Sequence, residues 1–200
     1  MHAQLNTSPL HKRGFSLVEA AIVLGVISLV IGGIWVATAA VSENQRVTLA
    51  AQQVSQIITN LRGLYKGVPI AAGVNYDFNS TNNQSMLSSV FPADMLAGGN
   101  KILNPWGMPS SATVYRPASG YGHIMDGNII VVRTDIPDIA ACTRLITLLS
   151  KDSTTIELGV IAGGDYFPDP KSPESIIQSC TDAFAEGYPN NISVWITLGL

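Results

Sequence analysis

From Ala20 to Val41 the chain carries no charged side chain, and the longer stretch Phe15–Ser42, FSLVEAAIVLGVISLVIGGIWVATAAVS, holds only one, Glu19. Wound as a helix, the uncharged stretch is roughly 33 Å long, enough to cross a hydrocarbon core of about 30 Å. A helix packed inside a soluble domain rarely stays apolar on every side for so long. The residues therefore predict a membrane segment. The whole chain has the apolar content of a folded protein: 46% of its 200 residues are hydrophobic, which excludes disorder over most of its length. A net charge of −3 argues against direct nucleic-acid binding or an anionic-membrane coat.

Ahead of the apolar run lies a polar leader, MHAQLNTSPLHKRG, with Lys12 and Arg13 at its end; the next basic residue is Arg46. This asymmetry places the N-terminus in the cytoplasm and the bulk of the chain outside. In an oxidising compartment Cys142 and Cys180, the two cysteines, can form a disulfide. Three readings of the N-terminus compete. A secretory signal peptide would use Ala37-Thr38-Ala39 as its cleavage site, but the apolar stretch is longer than the usual ~7–15 residues and opens on a carboxylate. A plain single-pass anchor explains the length and gives Glu19 no role. The third reading takes the junction Lys12-Arg13-Gly14-Phe15-Ser16-Leu17-Val18-Glu19 as a unit.

That junction resembles the class III signal of type IV prepilins. The resemblance implies cleavage by a prepilin peptidase between Gly14 and Phe15, N-methylation of Phe15, and retention of the apolar helix on the mature chain. Glu19, fifth residue after the cut, is then implied as the assembly residue that pairs with the N-terminal amine of a neighbouring subunit; the alternative is that it rests at the headgroup boundary. A carboxylate in hydrocarbon costs ~2.5–3.5 kcal/mol on insertion scales unless it finds a partner or snorkels. The implied partners are further copies in a homo-oligomeric helical filament, the inner membrane before assembly, the peptidase and pilus assembly machinery, and a receptor on another cell. The implied product is an extracellular pilus serving adhesion, mating-pair contact or motility; a type II secretion pseudopilin and a minor tip pilin are the alternatives. Type IV pilins also commonly carry one disulfide in the C-terminal half. Softer matches to the type IVb and conjugative thin-pilus group are FPADM at Phe91–Met95, NPWG at Asn104–Gly107 and ACTRL at Ala141–Leu145. The 14-residue leader and Phe15 as first mature residue depart from the type IVb pattern.

Past Glu43 the helix pattern turns amphipathic. Val47, Ala50, Ala51, Val54, Ile57, Ile58, Leu61, Leu64 and Tyr65 recur every three or four residues, with Gln45, Arg46, Gln52, Gln53, Gln56, Asn60 and Arg62 opposite. Gly63, Gly67 and Pro69 supply end signals. The predicted organisation is a leader over 1–14, a membrane or filament-core helix over 15–42, an amphipathic half over 43–68 and a globular domain over 69–200. Gly25 and Gly32-Gly33 would permit close helix approach, and Trp35 suits the outer membrane interface. In the globular part, helices are expected at Gln84–Val90, around Asp94–Leu96, from Asp135 or Pro137 to Ser150, and at Ser172–Ala185. Strands are expected at Ala112–Arg116, His123–Asp126, Asn128–Arg133, Thr155–Ile161 and Ile192–Leu198, the second and third as a hairpin across Asp126-Gly127. The fold class is α+β: a long N-terminal helix packed on an antiparallel sheet with short helices.

Catalytic chemistry is thin. The chain has no P-loop, and Gly120-Tyr121-Gly122 lacks a third glycine at Met125. After Gly14 one histidine remains, His123, which reads as structural or surface. Asp165, Asp169 and Gly163-Gly164 read as a solvated loop ahead of a calcium site. Trp106, Tyr115 and Tyr121 read as packing residues ahead of a base-stacking platform. No catalytic residue, metal ligand or cofactor is expected, and no enzymatic activity.

Overall fold

The computed structural model describes residues 16–98, 101–116, 129–150, 160–162, 165–167, 173–185 and 193–197. The chain divides into two compact units, Met1–Ser42 and Glu43–Leu200.

Helix α1 spans Leu17–Tyr65 without a proline. In the first unit its side chains are exposed all round: Leu29 is 79% and Trp35 75% accessible. The hydroxyls on this stretch are satisfied within the helix, Ser28 Oγ donating to the Leu24 carbonyl and Thr38 Oγ1 to that of Ile34, each at 2.8 Å. An exposed, fully apolar surface of this length is stable in lipid or against other copies of itself, where its self-satisfied backbone costs nothing.

In the second unit the same helix has one buried stripe: Val47, Ala50, Val54, Ile57, Ile58, Leu61 and Tyr65. The helix ends at Tyr65 and the chain turns away at Gly67, which takes a left-handed φ of 75°. The Lys66 N–H reaches the Arg62 carbonyl (2.9 Å), the Val68 N–H that of Tyr65 (3.1 Å), and Pro69 forbids continuation. Gln53, expected on the polar side, is 5% accessible. Its Nε2 donates to Asp94 Oδ2 at 2.6 Å, while its buried Oε1 has no partner among the described residues.

The stripe joins a core with a four-stranded antiparallel sheet in the order β1-β4-β5-β8. Strand β1 is Asn75–Phe78; a 3₁₀ turn at Gln84–Met86 leads into α2, Leu87–Val90, and another covers Ala93–Met95. Strands β2 (Leu96–Ala97) and β3 (Lys101–Ile102) pair as a short ribbon. Strand β4 (Ser110–Tyr115) alternates strictly, with Ser110, Ala112 and Val114 buried. Strand β5 (Ile129–Thr134) faces it in register, Ala112 opposite Val132 and Val114 opposite Ile130. Helix α3 is Ile139–Leu149; β6 (Val160–Ala162) and β7 (Asp165–Phe167) form a second ribbon; α4 is Pro173–Ala185; β8, Ser193–Thr197, closes the sheet against β5.

The α+β architecture expected from the sequence is present. Strand β5 pairs with β4 and β8, its Ile130 and Val132 matched against Val114 and Ala112 of β4. The expected strand His123–Asp126 and its turn at Asp126-Gly127 lie outside the described residues. One local expectation is corrected. Helix α3 is capped by Asp138, whose Oδ1 accepts from the Ala141 N–H at 2.8 Å, and not by Asp135 or Pro137. Strands β1 and β3 carried no expectation; β2 begins at Leu96, where a helix was expected to end, and β7 at Asp165, where a loop was expected.

Candidate functional site

The candidate site is the N-terminal segment. Gly14 and Phe15 lie outside the described residues. Glu19 sits in the first turn of α1, where the helix N-terminus favours a carboxylate. It is exposed and has neither hydrogen-bond nor ion-pair partner among the described residues, while every other charged side chain of α1 lies from Glu43 onward. Around it are Leu17, Val18, Ile22 and Val23, all exposed. A Cβ added at Gly25, Gly32 or Gly33 would meet nothing within 4 Å. The packing of the chain on itself therefore gives no reason for these glycines.

Cys142 on α3 and Cys180 on α4 form a disulfide, with Cα atoms 6.0 Å apart. Both are fully buried, so the bond is a core element that ties the two helices together across 38 residues of sequence.

Three contacts that the sequence did not disclose share a pattern: each brings one of the three short quoted segments onto α1. Asp94 of FPADM accepts from Gln53, and the Asn60 amide donates to the Val90 carbonyl next to it at 3.0 Å. Trp106 of NPWG donates its indole N–H to Glu43 Oε1 at 2.9 Å. Arg144 of ACTRL donates to Asn44 Oδ1 at 2.6 Å. Glu43 also lies 3.9 Å from Arg46. The available signal was that Glu43 and Asn44 are the first strongly polar pair after the apolar run.

Trp106 packs against the core, as expected of it, and Tyr115 lies half-buried in β4. Tyr121, His123, Gly120, Gly122, Met125, Asp169 and Gly163-Gly164 lie outside the described residues. Asp165 is in β7 opposite Ala162, a ribbon where a solvated loop was expected. Among the described residues no three His, Cys, Asp or Glu side chains cluster as metal ligands would.

Residues 10–35 match the family described as the prokaryotic N-terminal methylation motif. No curated protein matches the chain. The matched span contains Gly14, Phe15 and Glu19 and enters the exposed apolar part of α1. The chain carries a type IV pilin-like prepilin signal, the signal that pilins and pseudopilins share.

Proposed function

We propose that the chain is a structural subunit of a type IV pilus. It is made as a prepilin, held in the inner membrane with its N-terminus in the cytoplasm, cut between Gly14 and Phe15, methylated on Phe15 and polymerised into a surface filament. The observation that carries this reading is the methylation motif over 10–35 set directly on the part of α1 before Glu43, whose large apolar side chains are exposed. A cut ahead of that helix keeps the adhesive element on the product. In the filament the helices of neighbouring copies replace lipid around it, so the apolar surface stays out of water and close packing holds the copies together. Glu19 is the natural register device. It is a lone carboxylate in an apolar surface, and the new amine of Phe15 on an adjacent copy neutralises it. The buried disulfide supports a domain that folds outside the cytoplasm.

The test is mass spectrometry of filaments sheared from the cell surface. The expected chain begins at N-methylated Phe15; a chain beginning after Ala39 would establish ordinary secretion instead. Glu19→Ala should be processed normally and yield at least about tenfold fewer filaments, as the loss of one buried charge pair implies. Wild-type filament yield from this variant would remove the pairing role.

A further inference from the structure

The chain leaves β1 at Phe78 into a polar loop, Asn79-Ser80-Thr81-Asn82-Asn83, that has no part in the filament assembly described above. Asn79 is half-buried at the root of this loop, and Ser80 to Ser85 are exposed. Its first three residues are an Asn-x-Ser/Thr sequence with no proline in the middle, the pattern that accepts an N-linked glycan on surface loops of exported proteins. The pattern alone does not choose a site, because it recurs at Asn6, Asn83 and Asn191. Asn6 lies in the leader that the proposed cut removes, and Asn191 lies outside the described residues. Asn79 and Asn83 differ in what their side-chain amides do.

At Asn83 the nitrogen is engaged: Nδ2 donates to the Asp77 carbonyl at 2.6 Å. At Asn79 the oxygen is engaged instead. Its Oδ1 accepts from the Thr81 N–H at 2.9 Å, from the Thr81 hydroxyl at 2.8 Å and from the Asn82 N–H at 2.8 Å. Asn79 Nδ2 has no partner among the described residues and is not buried, so it faces solvent. Asn79 and Ser80 also line one side of a cavity of about 480 Å³, so a group joined to Nδ2 has room without displacing the core.

An amide nitrogen is a poor nucleophile because it shares its lone pair with the carbonyl. Three donors on Oδ1 stabilise negative charge on that oxygen, so Nδ2 releases a proton more readily. The backbone N–H groups of Thr81 and Asn82 suffice to make the turn; the Thr81 hydroxyl adds the third donor, and only serine or threonine can supply it there. We propose that Asn79 is an N-glycosylation site. Nδ2 loses one proton to a base of the transferase and bonds to the anomeric carbon of a sugar carried as a lipid-linked diphosphate. The bond from that carbon to the diphosphate oxygen breaks, and the electron pair leaves with the diphosphate. The proposal rests on the reading in which the unit Glu43–Leu200 is exported.

The test is peptide mass spectrometry of the full mature chain taken from the cells that make it, with electron-transfer fragmentation to place any added mass. A saccharide mass is expected on Asn79. Asn79→Gln and Thr81→Ala should abolish it, Thr81→Ser should retain it, and Asn83→Gln should leave it at the wild-type level. Occupancy is read as the ratio of modified to unmodified peptide, so a variant recovered in lower amount is still informative, and the serine variant separates loss of the hydroxyl from loss of the fold. An unmodified Asn79 in the wild-type chain, a saccharide on Asn83 or on a loop hydroxyl in its place, or full occupancy in Thr81→Ala would each overturn the proposal. The same spectra give the first residue of the chain. An unmodified Asn79 in a chain that begins at Phe15 removes the glycan and leaves the pilin reading standing; a glycan on Asn79 in a chain that begins elsewhere does the reverse.

Discussion

Asn104 is 6% accessible, and its side chain holds together three pieces of backbone. Its Nδ2 donates to Thr134 Oγ1 at 3.0 Å and to the Asp135 carbonyl, and its Oδ1 accepts from the N–H groups of Trp106 and Met108, each at 3.0 Å. Gly107 completes the turn with a φ of 75°, the left-handed region open to glycine at no steric cost. Asn104→Ala orphans two N–H groups and a carbonyl at once, each a desolvation cost of about 1–3 kcal/mol. Allowing for partial rehydration, a loss of ~2–4 kcal/mol is expected in urea unfolding of the mature chain; a loss under ~1 kcal/mol would show that water replaces the amide freely. Asp135 offers a test in the opposite direction. Its native pKa is raised by burial, against a smaller lowering by Arg133, so between the unfolded and native values the folded chain binds the extra proton. That contribution to stability is full below the unfolded pKa and is lost as pH rises through the native one. Asp135→Asn should therefore flatten the pH dependence of unfolding above about pH 4, with its gain over wild type growing toward neutrality. A parallel offset at every pH would mean the carboxyl is not shifted.

Helix α1 shows what a sequence pattern reveals about an element and what it does not. The stripe from Val47 to Tyr65, the stop at Gly67-Pro69, and the elements β4, β5, α3, α4 and β8 were legible because each carries a strong apolar period or a punctuating residue. Strand β1 reads Asn-Tyr-Asp-Phe, with only Phe78 buried. It exists through its register with β4, where the Thr113 hydroxyl meets Asp77 Oδ1 at 2.9 Å, and no local pattern encodes that. The two-residue strands β2 and β3 are likewise products of tertiary placement. In the candidate site, Glu19 stood out because charge in an apolar run is conspicuous, and Gly14 and Phe15 through the resemblance of the junction Lys12–Glu19 to a prepilin signal. The ties from Asp94, Trp106 and Arg144 onto α1 stayed hidden because they link residues 41 to 100 positions apart. The glycines of α1 give the element its own prediction. Because a Cβ at Gly32 meets nothing, Gly32→Leu should leave the subunit's processing and thermal unfolding unchanged, or raise helix stability by up to ~1 kcal/mol. Filament yield should nonetheless fall several-fold, since the bulk appears where helices of different copies approach. Undiminished filaments would show that the glycine serves no close contact.

At the scale of the whole molecule, the chain joins two units that need different surroundings, and the core shows where one requirement ends. Every residue of α1 in the hydrophobic core lies at Val47 or later, and the first polar ties to the globular part are at Glu43 and Asn44. No core side chain among the described residues comes from Met1–Ser42. A chain beginning at Glu43 therefore keeps its whole core, both ties and the disulfide, and loses only surface that is apolar and exposed. It should be a soluble monomer with cooperative unfolding that shifts to lower temperature on reduction; closing a 38-residue span is worth about 4 kcal/mol in the chain-entropy model. A chain beginning at Pro69 is the decisive comparison. It lacks Val54, Ile57 and Leu61, each buried against the sheet, and truncating one such side chain to alanine costs ~2–5 kcal/mol. Losing all three costs about 6–15 kcal/mol, as much as the whole 5–15 kcal/mol that stabilises an ordinary domain, so this shorter chain should aggregate or bind hydrophobic dye. Comparing these two chains separates the two jobs that the proposed function gives one helix: up to Ser42 it serves the membrane and other copies, and from Glu43 it is part of the fold. If the chain from Glu43 collapses as the chain from Pro69 does, the apolar segment stabilises the domain directly, and the division of labour along α1 is wrong.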